Sequence, residues 1–346
     1  MIDLRSDTVT QPTKEMLETI LESKFGDDGR VGANGRGEDS TINELEDLAA
    51  EMTGKEAALY LNSGTMGNNS ALMTYCRPGD KVLVDTQQHI LKSEKGMFSD
   101  RFGQLIPVLY NYDENGCPVL NEVENELKKG NIKLLCVENS HNSRGGSVIP
   151  LEHLAEMKKL ADKYNVPVHM DGARLFNAAI SLGVDASEIC RYVDSVMFCV
   201  SKGLGAPVGS LVCSSKEFIH NLRDSRKLLG GNMRQAGVIA APGIYALRHN
   251  VAKLKNDHDN AALLSRSLAD LKKVQVQQNV QTNIVMIDTS KTGLKADEYC
   301  EKLSKKGIGA RPAQVPDHIR LVFHLGISRE DTLKTIEIIR ELDGEL

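Results

Sequence analysis

From Glu56 to about residue 213 the chain repeats one grammar: a short continuous apolar run, a polar stretch with helical periodicity, then another run. The runs fall at Ala57–Leu61, Lys81–Val84, Leu105–Leu109, Lys133–Val137, Val166–Met170, Ser195–Val200 and Ser210–Cys213. They are rich in Val, Ile, Leu, Met and Cys and too short for helices. They also lack the alternation of a half-solvated strand, so they predict strands buried on both faces. Between them, Leu151, Leu154, Met157, Leu160 and Ala161 make a helical stripe that closes at Tyr164-Asn165. Such alternation predicts an α/β fold, a mostly parallel seven-stranded sheet with helices on both faces. Ligands of such sheets sit at the carboxyl ends of the strands.

After about Asn250 the pattern changes. A helical stretch carries Leu263, Leu264, Leu268 and Leu271, and strands are expected near 283–287 and 319–323, with helices near 297–305 and 329–342. This predicts a large α/β domain over residues 1–250 and a small α+β C-terminal domain over 251–346, with the N-terminal segment available to pack on the small one. Gly26 to Gly37 holds five glycines and predicts a surface loop, ending at Ser40 as a helix N-cap.

Composition narrows the function. Of 346 residues, 41% are hydrophobic and 26% charged, enough for a sizeable core. The 42 basic and 47 acidic residues leave a net charge of −5, which argues against a nucleic-acid or membrane-surface partner. Seven cysteines, an odd number with no Cys-x-x-Cys pair, predict reduced thiols and a cytoplasmic protein, with no metal site. The polar start, Met1-Ile2-Asp3-Leu4-Arg5, does not resemble a signal peptide, and no run reaches the ~18 apolar residues of a membrane span.

The strand ends carry the candidate chemistry. Lys202 follows the sixth run and precedes Gly203-Leu204-Gly205-Ala206. A lysine amine shielded from water there can attack a carbonyl to form a Schiff base; a solvated strand-capping lysine is the commoner use of the residue. Asp171 ends the fifth run, with Gly172, Ala173 and Arg174 behind it. A lysine for an aldehyde and a carboxylate for a pyridine nitrogen together fit a pyridoxal 5′-phosphate site. Ser63-Gly64-Thr65-Met66-Gly67-Asn68 opens a helix, where free N–H groups suit a phosphate; a glycine turn without a ligand is the plainer alternative. His89 and His141 each follow a run and suit either proton transfer or a surface hydrogen bond. Arg320 lies opposite in direction to Ile319, Leu321 and Phe323, so it leaves the core and could grip a carboxylate through two N–H bonds.

These residues, in this order, resemble the low-specificity L-threonine aldolases of the β-eliminating lyase family, fold-type I pyridoxal phosphate enzymes. The segments are MIDLRSDTVTQPT, LNSGTMGN, HMDGARLFNA, SVMFCVSKGLGAPVGS, RKLLGGNMRQAG and IRLVFH, spread from Met1 to about Leu342. The resemblance implies that Lys202 carries the cofactor, Asp171 pairs with its ring nitrogen and Arg174 meets its O3′. It implies phosphate contacts from Gly64, Thr65 and a neighbouring subunit's copy of Arg234, with His89 stacked on the ring. Ser6 and Arg320 would hold the substrate carboxylate, near Asn68, and His141 would stand beside the substrate hydroxyl. The base is left open between His89, His141 and a water held by either. The implied reaction is retro-aldol cleavage of L-threonine or L-allo-threonine to glycine and acetaldehyde, in a homotetramer of active dimers. β-Elimination on another amino acid is the alternative, and a catalytically silent cofactor-binding protein the remote one. Two departures stand near the expected substrate entrance: Arg36 where relatives carry a tyrosine, and Leu91-Lys92-Ser93 where they carry an aromatic pair. Arg36 is therefore expected to approach an active site and favour a polar or anionic side chain.

Overall fold

The computed structural model describes residues 1–114 and 116–346. Its strands are β1 Ile2–Asp3, β2 Ala57–Leu61, β3 Lys81–Asp85, β4 Ile106–Tyr110, β5 Ile132–Glu138, β6 Val168–Asp171, β7 Ser195–Cys199, β8 Ser210–Ser214, β9 Gln275–Val276, β10 Ile284–Asp288, β11 Ile308–Gly309, β12 Arg311–Pro312 and β13 His318–Val322. Strands β2 to β8 form one sheet in the order β2-β8-β7-β6-β5-β3-β4. Only β8 runs against its neighbours, β2 and β7; the other pairs are parallel. The seven runs of the sequence are these seven strands, displaced by one or two residues at the ends.

The period of two sorts each strand's side chains between two cores. Val168 and Met170 of β6, and Val196 and Phe198 of β7, join the larger core with the helices Ser40–Thr53, Leu151–Lys163 and Gly237–His249. Met197 and Cys199 of β7 turn to the other face, where they meet Leu59, Ala71 and Val212. Asp171, two residues on from His169, ends β6 on that second face. The exception to two-sided burial is the edge strand β4, whose Ile106 and Leu109 are 44% and 50% exposed; β2, at the other edge, is covered.

The helix Ser40–Thr53 corrects one expectation. Its N-cap is Asp39, whose Oδ1 accepts from the N–H groups of Thr41 and Ile42, both at 3.1 Å, and Ser40 occupies the first helical position. Asp39 Oδ2 also accepts from Gly237 N at 2.9 Å. A carboxylate outcompetes a hydroxyl here because it can serve two loops and the helix dipole together.

Four of the remaining strands form an antiparallel sheet, β12-β13-β10-β9, packed on the helices Leu254–Ser267, Ala296–Lys305 and Arg329–Glu345, and β1 and β11 pair in parallel as a separate two-stranded sheet. Its core contains Leu264, Val285, Ile287, Tyr299, Ile319, Leu321 and Phe323. The N-terminal strand pairs with this body, Ile2 beside Ile308, and Leu4 is buried in its core. Residues just after Leu4 then cross to the large sheet, which sets up the site.

Candidate active site

A cavity of about 420 Å³ opens where β6 and β7 end and the small sheet faces them. Ser6, Gly64, Thr65, His89, Asp171, Arg174, Lys202 and Arg320 all line it. Eight of the ten residues singled out from the sequence thus share one space, although they span more than 300 positions.

Lys202 sits on the loop after β7, where the turn is closed by a bond from Gly205 N to the Lys202 carbonyl at 2.9 Å. Gly205 has φ +81°, a conformation that favours glycine. Among the described residues the Lys202 amine has no hydrogen bond or ion pair. Asp171 is 1% exposed. Its Oδ1 accepts from Ala173 N at 3.1 Å and its Oδ2 from Asn68 Nδ2 at 3.0 Å. Asn68 is in turn fixed by His169, whose Nε2 is 3.2 Å from Asn68 Oδ1. Burial lowers the His169 pKa to about 4, so the ring is neutral. Its Nδ1 lies 2.8 Å from Ser195 Oγ, which accepts from Tyr75 Oη at 3.1 Å. Because Asn68 Nδ2 donates to two carboxylates, its Oδ1 must accept, and the proton of His169 belongs on Nε2. A directed chain therefore runs from Tyr75 through Ser195, His169 and Asn68 to Asp171.

The helix Gly64–Tyr75 is capped by Ser63 Oγ, which accepts from Met66 N at 3.2 Å. Gly64 N and Thr65 N have no partner among the described residues. The helix approaches the sheet closely: a Cβ on Gly64 would stand 2.9 Å from Cys199 Sγ, and one on Gly67 would stand 2.7 Å from Met197 Cγ. His89 Nδ1 lies 3.1 Å from Glu94 Oε1, and its backbone N–H donates to Glu138 Oε2 at 2.7 Å. Burial disfavours a charged His89 ring, but the Glu94 bond and the nearby Asp171 outweigh it and raise its pKa above the ordinary value. His89, Glu94 and Asp171 bring ligand atoms within 4.8 Å of one another, a spacing that a cation could also use.

On the opposite wall, Arg174 donates from Nε and Nη2 to Asp7, at 2.6 and 2.8 Å, and from Nη1 to Asn142 Oδ1 at 3.1 Å. Burial alone would raise the Asp7 pKa; the Arg174 charge and hydrogen bonds override it and hold the carboxyl at about 2. Arg320 Nη1 donates to the same Asn142 oxygen at 2.6 Å, while its buried Nε has no partner in the protein. Burial and the charge of Arg174 push the Arg320 pKa down to about 10. Ser6 Oγ accepts from Thr8 N and Thr8 Oγ1, at 3.2 and 2.9 Å, leaving its own proton free to donate.

Two expected residues are not brought into the cavity. His141 is fully buried, with Nε2 2.7 Å from Asp85 Oδ2 and its ring edge-on to Tyr112. Arg234 is 69% exposed and stands 3.5 Å from Asp27, outside the cavity of its own chain. Arg36 also lies elsewhere, donating to Asp47 Oδ1 at 2.8 Å and to the Asn43 carbonyl at 2.6 Å. Sequence reasoning missed Asp7, Glu94, Asn142 and Glu138. The last holds both site loops, accepting from His89 N and from Asn142 N at 2.8 Å.

The cavity fits pyridoxal phosphate on structural grounds: an unpartnered lysine amine, a buried carboxylate held in place behind it, and unpaired N–H groups at a helix start pressed against the sheet. The chain is 39% identical to the low specificity L-threonine aldolase of Escherichia coli (strain K12), over 95% of this chain and 96% of that one. It is 37% identical to low-specificity L-threonine aldolase 1 of Arabidopsis thaliana, over 98% and 96%. Among solved structures, it matches the threonine aldolase of Leishmania major with a TM-score of 0.81 at 16% identity, covering 99% of this chain and 100% of that one. It matches aspartate aminotransferase from Thermus thermophilus with a TM-score of 0.73 at 18% identity, covering 99% and 91%. The fold is that of fold-type I pyridoxal phosphate enzymes. Residues 3–292 match the model of the beta-eliminating lyases, and the chain belongs to that family.

Proposed function

We propose that the chain is a pyridoxal phosphate-dependent carbon–carbon lyase that cleaves L-threonine and L-allo-threonine to glycine and acetaldehyde. The observation that carries this reading is the convergence of Lys202, Asp171 and Arg320 on one cavity. Bound there, the cofactor supplies an aldehyde for an amine and a ring that accepts electrons from Cα. Lys202 is the residue to hold that aldehyde, and Asp171 keeps a proton on the ring nitrogen. Gly64 and Thr65 would offer backbone N–H groups to the phosphate, and Arg174 would be the residue to meet the cofactor's O3′.

Arg320 and Ser6 would bind the substrate carboxylate and so orient the bonds at Cα. Arg320 has an unpaired Nε to give, and Asn142 holds its other end. His89 is the better base for the β-hydroxyl proton: it lines the cavity, Glu94 holds Nδ1, and Nε2 is free to receive the proton. His141, enclosed with Asp85, fits a supporting role. Loss of that proton turns the β-carbon into the aldehyde carbon as the Cα–Cβ bond breaks, and Cα then takes a proton to become glycine.

We further propose a division into residues 1–250 and 251–346, a cytoplasmic location, and a homotetramer in which Arg234 reaches the phosphate in a neighbouring subunit. The free cysteines, all seven unpaired, are in keeping with a reducing compartment. No helix of the described residues is long and apolar enough to cross a membrane. The test is purified protein with pyridoxal phosphate on L-threonine and L-allo-threonine: equimolar glycine and acetaldehyde are expected, whereas pyruvate or 2-oxobutyrate with ammonia would mean elimination instead.

A further inference from the structure

The small sheet presents a row of three side chains to the cavity. In the antiparallel register Met286 of β10 faces Arg320 of β13, and Arg320 faces Arg311 of β12. Residues directly opposite in an antiparallel pair share a face of the sheet, with Cβ atoms ~5 Å apart. All three line the cavity. Arg311 therefore stands one strand beyond the arginine assigned to the substrate carboxylate.

Charge accounting makes Arg311 unusual. The cavity's carboxylates are Glu94 and Asp171, with Asp7 behind Arg174 on the opposite wall. Asp7 is taken by Arg174, Glu94 by His89 and Asn68, and Asp171 by Asn68 and Ala173. The Arg311 side chain has no hydrogen bond or ion pair among the described residues, and it stands beside a second, like-charged guanidinium. Beyond it Pro312, Ala313 and the polar Gln314 continue the same wall. Gln314 accepts from Ser143 Oγ at 2.9 Å and donates to Ser93 Oγ at 3.1 Å, which leaves the Ser93 hydroxyl proton free. Ser93 belongs to the segment in which the sequence departs from the aromatic pair of its relatives. Where an apolar β-substituent would want an apolar wall, this one offers a free cation and hydroxyl groups.

We propose that Arg311 recognises an anionic β-substituent, and that the substrate class is β-hydroxy-α-amino acids bearing a second carboxylate, the 3-hydroxyaspartate skeleton. Two carboxylates on adjacent carbons match two guanidiniums on adjacent strands. The inference rests on the retro-aldol reading above and extends it to the side chain. The step balances: 3-hydroxyaspartate loses its β-hydroxyl proton to the base, the Cα–Cβ bond breaks, and the β-carbon leaves as glyoxylate. Cα keeps the electron pair through the cofactor and is reprotonated to glycine, with no oxidant or reductant.

The experiment compares kcat/KM for 3-hydroxyaspartate with that for L-threonine in the holoenzyme, in Arg311→Ala and in Arg311→Lys. The wild type is expected to favour the dicarboxylate, and Arg311→Ala to lower the ratio by about 10- to 100-fold, the size expected for one charge-assisted pair. Arg311→Lys should restore part of it. A ratio unchanged in Arg311→Ala, with both substrates weakened together, would place Arg311 on the α-carboxylate and overturn the proposal. L-aspartate, which lacks the hydroxyl, supplies a readout independent of cleavage. Its binding, followed by the change in the visible cofactor spectrum, should be tighter than that of L-alanine and lose this advantage in Arg311→Ala. If neither hydroxy amino acid is cleaved, the retro-aldol reading fails, and the aspartate titration still decides for or against an anion-binding Arg311.

Discussion

Asp7 holds the Arg174 guanidinium by two bonds, Nε to Oδ2 at 2.6 Å and Nη2 to Oδ1 at 2.8 Å, and both side chains are buried. The pair ties the N-terminal segment, whose Leu4 lies in the small-sheet core, to the residue that follows β6. Breaking one half of a buried pair leaves the other charge without compensation. Asp7→Asn keeps the shape and removes the charge, so it should cost about 3 kcal/mol in urea unfolding. The sign with pH is fixed by the lowered pKa. The carboxyl titrates at about 2 in the folded chain against an ordinary 3.8. The contribution is whole above the ordinary value and is lost as pH falls toward 2. The stability gap between wild type and Asp7→Asn should therefore narrow over that window; a constant gap would refute the assignment.

His169 gives a second pH dependence, set by a base kept neutral. Its folded pKa is about 4 and its ordinary value 6.5, so the unfolded chain binds the proton first. The His169 contribution to folding stability should be level above about pH 6.5, fall between 6.5 and 4, and level again below. The fall attributable to this residue is on the order of 3 kcal/mol, from 1.36 kcal/mol per unit. In His169→Asn that part of the decline should vanish. Turnover should also fall, because Asn68 loses the donor that orients its amide toward Asp171.

How much of this was legible in the sequence depended on the range of the interaction. The seven strands are local apolar runs, and each side chain at a strand end inherits its place from the strand, which is why Lys202, Asp171 and His89 could be named in advance. Asp7, Asn142 and Glu138 act through partners 167, 178 and 49 residues away. No local pattern links such pairs, since only the fold brings them together. Ser40 was misjudged for a different reason: two adjacent capping residues compete, and the tertiary bond from Gly237 N decides for Asp39. Arg36 was expected to approach an active site because a departure from relatives marks a place in the sequence; within its own chain the side chain is bound by Asp47. The anionic preference looked for in that loop has its better support in Arg311.

Lys202 and Asp171 can be separated by their failures. Lys202→Ala should lose the visible absorbance of the lysine-bound cofactor along with turnover, and borohydride should fix the cofactor to Lys202 in the wild type. Asp171→Asn is nearly isosteric and keeps a group for Ala173 N to meet, so it should fold and still bind cofactor. It should lower kcat on the order of 10²-fold, the loss typical of removing one preorganised charge. Labelling at another lysine would overturn the first assignment, and near-normal kcat in Asp171→Asn the second.

The two histidines make opposite predictions. His89 lines the cavity with Nε2 free, whereas His141 is sealed against Asp85 and Tyr112. If His89 is the base, His89→Asn should lower kcat by about 10²-fold or more, within the range for general base catalysis. His141→Asn should chiefly lower the melting temperature, since it leaves Asp85 short of a buried partner. A base must be unprotonated to act, so activity should fall as pH drops through the His89 pKa, which lies above its ordinary value because of Glu94 and Asp171. Glu94→Gln removes the largest of those raising influences and should carry the acid limb of the kcat profile to lower pH. An acid limb that stays in place in Glu94→Gln but moves or disappears in His141→Asn would hand the proton transfer to His141 and show that the ring leaves its Asp85 contact during turnover.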